Sequence, residues 1–236
     1  MKIKFHYILI GLFLAASGCK KDNYDAPQSK LSGRLVYKGE AINVEYNAVP
    51  YELYQPGFAT KSAITGTFDQ DGNYGQLLFD GNYKFTMQAN QGPFMWKELS
   101  AGKRDSLNIT LKGNQTLDIE VTPYYLIHNA TYTATGRKVT AVFNLEKVIT
   151  DANAKNIERV SLYVNKTQFA SNDFRLGDGD PPTIAGSAIT SMNNLTLSFD
   201  VPSLTPTQNY VFARVGLKIA GVDDLIFTPV TKVNIQ

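Results

Sequence analysis

A single cysteine, Cys19, stands in 236 residues, beside only two histidines and one tryptophan. One thiol cannot build a disulfide framework within the chain, and this inventory cannot assemble a Cys-rich or poly-His metal site. His6 lies in the N-terminal apolar segment, so Ser-His-Asp catalysis would rest on His128 alone, and no G-x-S-x-G elbow accompanies it. H-E-x-x-H, Walker A and dinucleotide fingerprints are missing as well. Charge of one sign is also lacking, with 23 basic residues against 21 acidic ones. Loss of Lys2 and Lys4 with a leader brings the two counts level, which leaves no electrostatic footprint for nucleic acid or for an anionic membrane surface. The longest apolar run, residues 8–16, has nine residues, well short of the roughly 20 that a spanning helix needs.

What is present specifies a folded protein. Apolar residues make up 43% and charged residues 19%, an ordinary soluble composition that buries a core. The length suits one large domain or two small ones. At the N-terminus, Lys2 and Lys4 precede the apolar run, and Ala16-Ser-Gly18 places small residues before Cys19. This is the order of a secretory signal. Leu14-Ala-Ala-Ser-Gly-Cys19 resembles a bacterial lipobox, with Ala16 where Leu is usual. The resemblance implies cleavage after residue 18, acylation of Cys19 and anchoring in outer-membrane lipid. Residues 19–26 then form a polar tether whose acidic members resemble a surface-export signal, so the expected location is the cell surface, with the periplasmic face as the alternative.

From Leu31 onward the hydrophobic period is two, and an all-β fold is expected. Leu107, Ile109 and Leu111 alternate with polar residues, as do Leu117, Ile119 and Val121, the pattern of half-buried antiparallel strands. Asp71-Gly-Asn-Tyr74 and Asp80-Gly-Asn-Tyr83 are identical tetrapeptides whose glycines suit tight turns, so they predict consecutive turns of a meander. A calcium-loop reading of residues 69–73 fails because its glycine falls at the wrong position. Thr122-Pro123 interrupts the alternation, and the domain boundary is placed there. Beyond it, Val139 to Leu145, Val160 to Val164, Leu195 to Val201 and Val211 to Ile219 alternate again, as in a seven-stranded sandwich. Leu145, Val148, Ile149 and Ala152 would also suit a short helix.

Two stretches carry family likenesses. Leu31-Ser-Gly-Arg-Leu-Val-Tyr37 with the two Asp-Gly-Asn-Tyr turns resembles the transthyretin-like, carboxypeptidase-regulatory sandwich over residues 27–122. Leu204-Thr-Pro-Thr-Gln-Asn-Tyr210 resembles the corner signature of fibronectin type III domains over residues 123–236, which implies that the Tyr210 hydroxyl bonds back to the backbone. The order of lipobox, transthyretin-like domain and immunoglobulin-like domain carrying Ala213-Arg-Val-Gly-Leu-Lys218 resembles a family of two-domain lipoproteins encoded in polysaccharide-utilisation loci. That resemblance implies glycan capture at the cell surface beside an outer-membrane glycan transporter complex, and it brings no catalytic residues. Two tandem antiparallel β-sandwiches are therefore expected.

Paired carboxylates would suffice for glycoside hydrolysis, but small sandwiches rarely shape the long cleft it needs. The expected protein is non-enzymatic, with no cofactor and no resident metal. Asp178-Gly-Asp180, with Asp173 nearby, reads either as a calcium loop or as a solvated turn, and His128 as a structural histidine. Sugar rings stack their apolar faces on aromatic side chains, so the candidate binding residues are Trp96 and Phe94, in a Gly-Pro loop beside Asn90 and Gln91, followed by Tyr124 and Tyr125. The competing reading of Phe94 and Trp96 is that these rings, two apart on one strand face, plug the core. An oligo- or polysaccharide is the expected ligand. A scaffold or adhesion lipoprotein contacting another protein is the alternative.

Overall fold

The computed structural model describes residues 25–57, 62–88, 91–100 and 103–236. The signal segment, Cys19 and Asn90 lie outside them. The described chain is all-β; its one helical element is the three-residue turn Gly186–Ala188.

In the first unit the strand Ser29–Tyr37 is the spine of one sheet. It pairs antiparallel with Asn73–Leu78 and Glu40–Ala41, and parallel with Gln115–Thr116 and Ile119–Glu120. The opposing sheet runs in the order Leu107–Leu111, Gly81–Met87, Pro50–Tyr54, Ile64–Thr67. Alternation places Leu31, Leu35, Leu53, Phe85, Ile109 and Leu111 between the two layers. The Tyr51 and Phe85 rings stack there with centroids 5.2 Å apart. Gly33 in the opening motif is dictated by close approach, since a Cβ would sit 1.9 Å from the Leu117 carbonyl oxygen.

The two Asp-Gly-Asn-Tyr repeats do different work from the meander expected. Asp69 Oδ1 accepts the Asp71 and Asn73 amides, Gly72 takes φ +76°, and this closes the first turn. At the second repeat the chain leaves one sheet for the other: Asn73–Leu78 pairs with the spine strand, whereas Gly81–Met87 pairs with Pro50–Tyr54 and Leu107–Leu111. What the repeats share is the tyrosine. Each buries its ring and donates its hydroxyl to a backbone carbonyl, Tyr74 to Leu117 at 2.7 Å and Tyr83 to Phe79 at 2.8 Å. The Ile119–Glu120 segment also departs from expectation, because its ladder with the spine is parallel.

The second unit packs the sheet Tyr125–Thr135, Lys138–Lys147, Leu195–Asp200 against a larger one, in the order Thr183–Ala185, Ile157–Asn165, Tyr210–Ile219, Leu225–Phe227, with Thr231–Asn234 also on Tyr210–Ile219. Val139, Ala141, Phe143 and Leu145 face Val160, Leu162, Val211, Val215 and Leu217 in this core. Residues 148–152 form no helix; the strand ends at Lys147 and Asp151 caps a turn by accepting the Asn153 amide. Tyr210 is half-buried with the Lys232 ammonium 3.8 Å from its ring centre and Phe212 edge-on. Among the described residues its hydroxyl makes no corner bond.

The units are joined by more than a linker. Thr122–Pro123 is itself a short strand on Phe94–Met95, and Asn43–Val44 of the first unit extends the large sheet of the second by pairing with Leu225–Phe227. Arg214 Nη1 donates to the Val44 carbonyl and Asp224 accepts the Gly92 amide, both across the junction. The apolar core is continuous through it.

Candidate functional site

The strand Phe94–Met95 and the residues after it follow the Gly92-Pro93 turn and lie along this junction, held to Thr122–Pro123. Strand alternation points Phe94 and Trp96 to the same side, and that side is the core. Trp96 is 5% exposed, lies 6.1 Å from the Phe85 ring centre, and donates its indole N–H to the Asp105 carbonyl at 2.9 Å. Phe94 is equally buried. The core-plug reading is therefore the one realised, and neither ring offers an open face for stacking. Tyr125 is buried too, its hydroxyl donating to the Lys155 carbonyl. Of the four candidates, only Tyr124 keeps a partly open ring.

Even so, three of the four meet at one place. Phe94, Trp96 and Tyr124 line a cleft of about 390 Å³ closed on its far side by residues 152–155 and by Gly221 and Val222 of the second unit. Its polar groups come from positions that the sequence did not single out: Glu98, Arg104, Asn153 and Lys155. The Lys155 ammonium lies 5.5 Å from the Tyr124 ring centre and donates to the Gly221 carbonyl. Arg104 donates to the Met87 carbonyl at 3.0 Å, and burial lowers its pKa, opposed by the Glu98 carboxylate. Burial raises the Tyr124 phenol, with Glu98 adding to the effect. A second groove flanks the same 94–98 segment and carries Glu120 and Asp151. No motif marks these residues, because they are drawn from separate stretches around positions 98–104, 120 and 151–155.

The groups lining this cleft suit recognition of a polar ligand. It presents one carboxylate, two cations, an amide and an aromatic wall, the mixture that takes hydroxyl-rich ligands. Among the described residues Glu98 is the one carboxylate lining it, and Glu120 and Asp151 lie in the adjoining groove. His128 lies elsewhere, on Tyr125–Thr135, with Nε2 2.6 Å from Glu146 Oε2. Among the described residues no three potential ligating side chains gather as a metal site. At residues 178–180 the chain is exposed, and Arg175 Nε donates to the Gly179 carbonyl.

Both units match family descriptions. Residues 29–122 match the N-terminal domain of a protein family of unknown function, DUF3823, and residues 125–232 match its C-terminal domain. The chain belongs to the DUF3823 family. A DUF3823 protein from Parabacteroides merdae is 33% identical, covers 89% of this chain and 100% of its own, and superposes with a TM-score of 0.75. A DUF3823 protein from Bacteroides ovatus is 29% identical with the same coverage and TM-score. A Bacteroides uniformis protein named for a proposed carbohydrate binding role shares the fold at 18% identity and a TM-score of 0.69, covering 89% of this chain and 100% of its own. No curated protein matches the chain. In this DUF3823 protein two β-sandwiches dock side by side, with the cleft where they meet.

Proposed function

We propose that this DUF3823 protein is a non-enzymatic, lipid-anchored protein of the outer cell surface that binds glycan as an accessory to a polysaccharide uptake system and its outer-membrane transporter. The observation that carries the binding role is the junction cleft, where the Tyr124 ring stands among Glu98, Arg104, Asn153 and Lys155. An aromatic wall with a mixed polar rim satisfies both sides of a sugar, the apolar C–H face and the hydroxyls. The name of the B. uniformis relative agrees with this reading. The anchor rests on Cys19 behind its signal-like segment.

Calorimetry of the chain from Lys20 onward against a panel of oligosaccharides tests the binding role. Tyr124→Ala and Glu98→Gln abolish heat release while leaving Tm near wild type; binding that survives both substitutions removes the cleft from the function. Labelling with a fatty-acid probe marks wild type and not Cys19→Ala, and label persisting on Cys19→Ala refutes the anchor.

A further inference from the structure

Three aromatic rings form a ladder on the outside of the junction, away from either core. Tyr46 comes from the first unit; Phe169 and Phe174 come from the loop after the strand Ile157–Asn165 of the second. The Tyr46 and Phe169 centroids are 4.9 Å apart and those of Phe169 and Phe174 are 6.3 Å apart, with the Phe169 plane tilted against both neighbours. Tyr46 is 38% and Phe174 48% exposed, and none of the three belongs to the apolar core. These rings contact one another in sequence, with Tyr46 and Phe174 partly open to solvent and Phe169 half-buried between them. An exposed ring cluster of this kind marks a contact site.

The surroundings say what kind of contact. A purely apolar patch would favour a protein partner's hydrophobic side chains, but this ladder has a polar fringe. Asn47 follows Tyr46, and Asn172, Asp173 and Arg175 flank Phe174, all at least partly exposed. Beneath it lie the small apolar cluster of Tyr163, Ala170, Leu225 and Phe227, the buried Ser171, and Arg214, whose Nε donates to the Ala170 carbonyl and whose Nη1 donates to that of Val44. These two carbonyls stand one and two residues from the ring-bearing positions 169 and 46. Arg214 thus ties together the two segments that carry rings from different units, and the ladder is complete only when the units are docked.

We propose that Tyr46, Phe169 and Phe174 form a second glycan-contacting face, on which successive pyranose rings of a polysaccharide stack while Asn47, Asp173 and Arg175 bond their hydroxyls. The inference rests on the glycan-binding reading above and extends it from an oligosaccharide cleft to a polymer track. Rigid flat rings with little rotamer entropy to lose, interleaved with amide and charged groups, are what such a ligand selects.

Native gels cast with xylan, galactomannan, mixed-linkage glucan or starch test it, using the chain from Lys20 onward. Tyr46→Ala and Phe174→Ala each weaken retention in the responsive gel about tenfold, whereas Tyr46→Phe and Phe174→Tyr retain it. Both positions are exposed, and an unchanged Tm confirms that the fold is intact. Undiminished polymer retention in the two alanine variants, with retention lost in Tyr124→Ala, overturns the ladder and leaves the cleft standing. Failure of wild type to be retarded by any polymer overturns the ladder, and the oligosaccharide calorimetry then decides the cleft separately. A dimer by sedimentation that the alanine variants dissociate, without polymer binding, assigns the face to a second copy of the chain and also overturns the proposal.

Discussion

Arg214 and Val44 are hydrogen-bonded across the junction of the two sandwiches, guanidinium Nη1 to carbonyl oxygen at 3.1 Å. The side chain is 1% exposed, lies 3.7 Å over the Phe227 ring centre, and reaches the Ala170 carbonyl with Nε. Burial lowers its pKa to about 10, with Glu45 and Asp71 opposing the shift. At neutral pH the group is a cation sunk between two units and a loop, held by carbonyls and an aromatic face. Arg214→Met fills similar space but orphans both carbonyls, at about 1–3 kcal/mol each. Arg214→Lys keeps the charge and loses the fork, so it too is destabilised. Urea denaturation checks both; wild-type midpoints would show that the bonds contribute nothing net.

Asp224 gives a pH signature at the same junction. Its carboxylate accepts the Gly92 amide at 2.6 Å, yet burial dominates and raises its pKa above the ordinary carboxylate value. A carboxyl with a raised folded pKa holds its proton more tightly when folded. Its contribution is thus most favourable below the unfolded value and is lost as pH rises through the folded one. Asp224→Asn keeps an acceptor for Gly92 and removes the buried charge. The variant melts above wild type at pH 7, and the gap closes on acidification toward pH 4. A gap independent of pH would trace the effect to packing instead.

The sandwiches were legible because alternation follows directly from which strand face meets the core. Val139 to Leu145 and Val160 to Val164 sit where period two puts them. Arg214 shows where that logic stops. Between Ala213 and Val215 it occupies the position of a wet-face residue, but Asn43–Val44 and the 166–176 loop cover that face, and both sides of Tyr210–Ile219 are buried. Nothing near residue 214 announces a partner some 170 positions upstream. The parallel ladder of Ile119–Glu120 was hidden in the same way, since alternation carries no strand direction. For Trp96, spacing shows that it shares a face with Phe94 but not which side that face meets. The rings of the ladder come from positions 46, 169 and 174, and only the docking of the units makes them neighbours.

Trp96 is a stability residue. Truncation to alanine removes a buried indole and one of two donors to the Asp105 carbonyl, the Thr86 hydroxyl remaining at 3.0 Å. A loss of about 3–5 kcal/mol is expected. Trp96→Phe keeps much of the volume and costs less. Native emission of the single tryptophan is blue-shifted and moves red on unfolding; red emission from folded protein would contradict its burial.

The two sandwiches should fold separately yet stabilise one another. Residues 27–122 carry both sheets of the first unit and its aromatic cluster around Tyr51, Tyr74 and Phe85, so this half alone has a core to fold around. Without its partner, however, Asn43–Val44 loses its ladder with Leu225–Phe227 and the Val44 carbonyl loses Arg214. Expressed alone, residues 27–122 give a cooperative melt at a lower Tm than the whole chain. Adding residues 123–236 as a separate chain raises that Tm with concentration, as binding to the folded state requires. A molten 27–122, lacking near-ultraviolet circular dichroism until the second half is supplied, would show that the junction is a condition of folding. A Tm indifferent to the added half would show that the strand pairing and the buried guanidinium bond contribute no stability between the units.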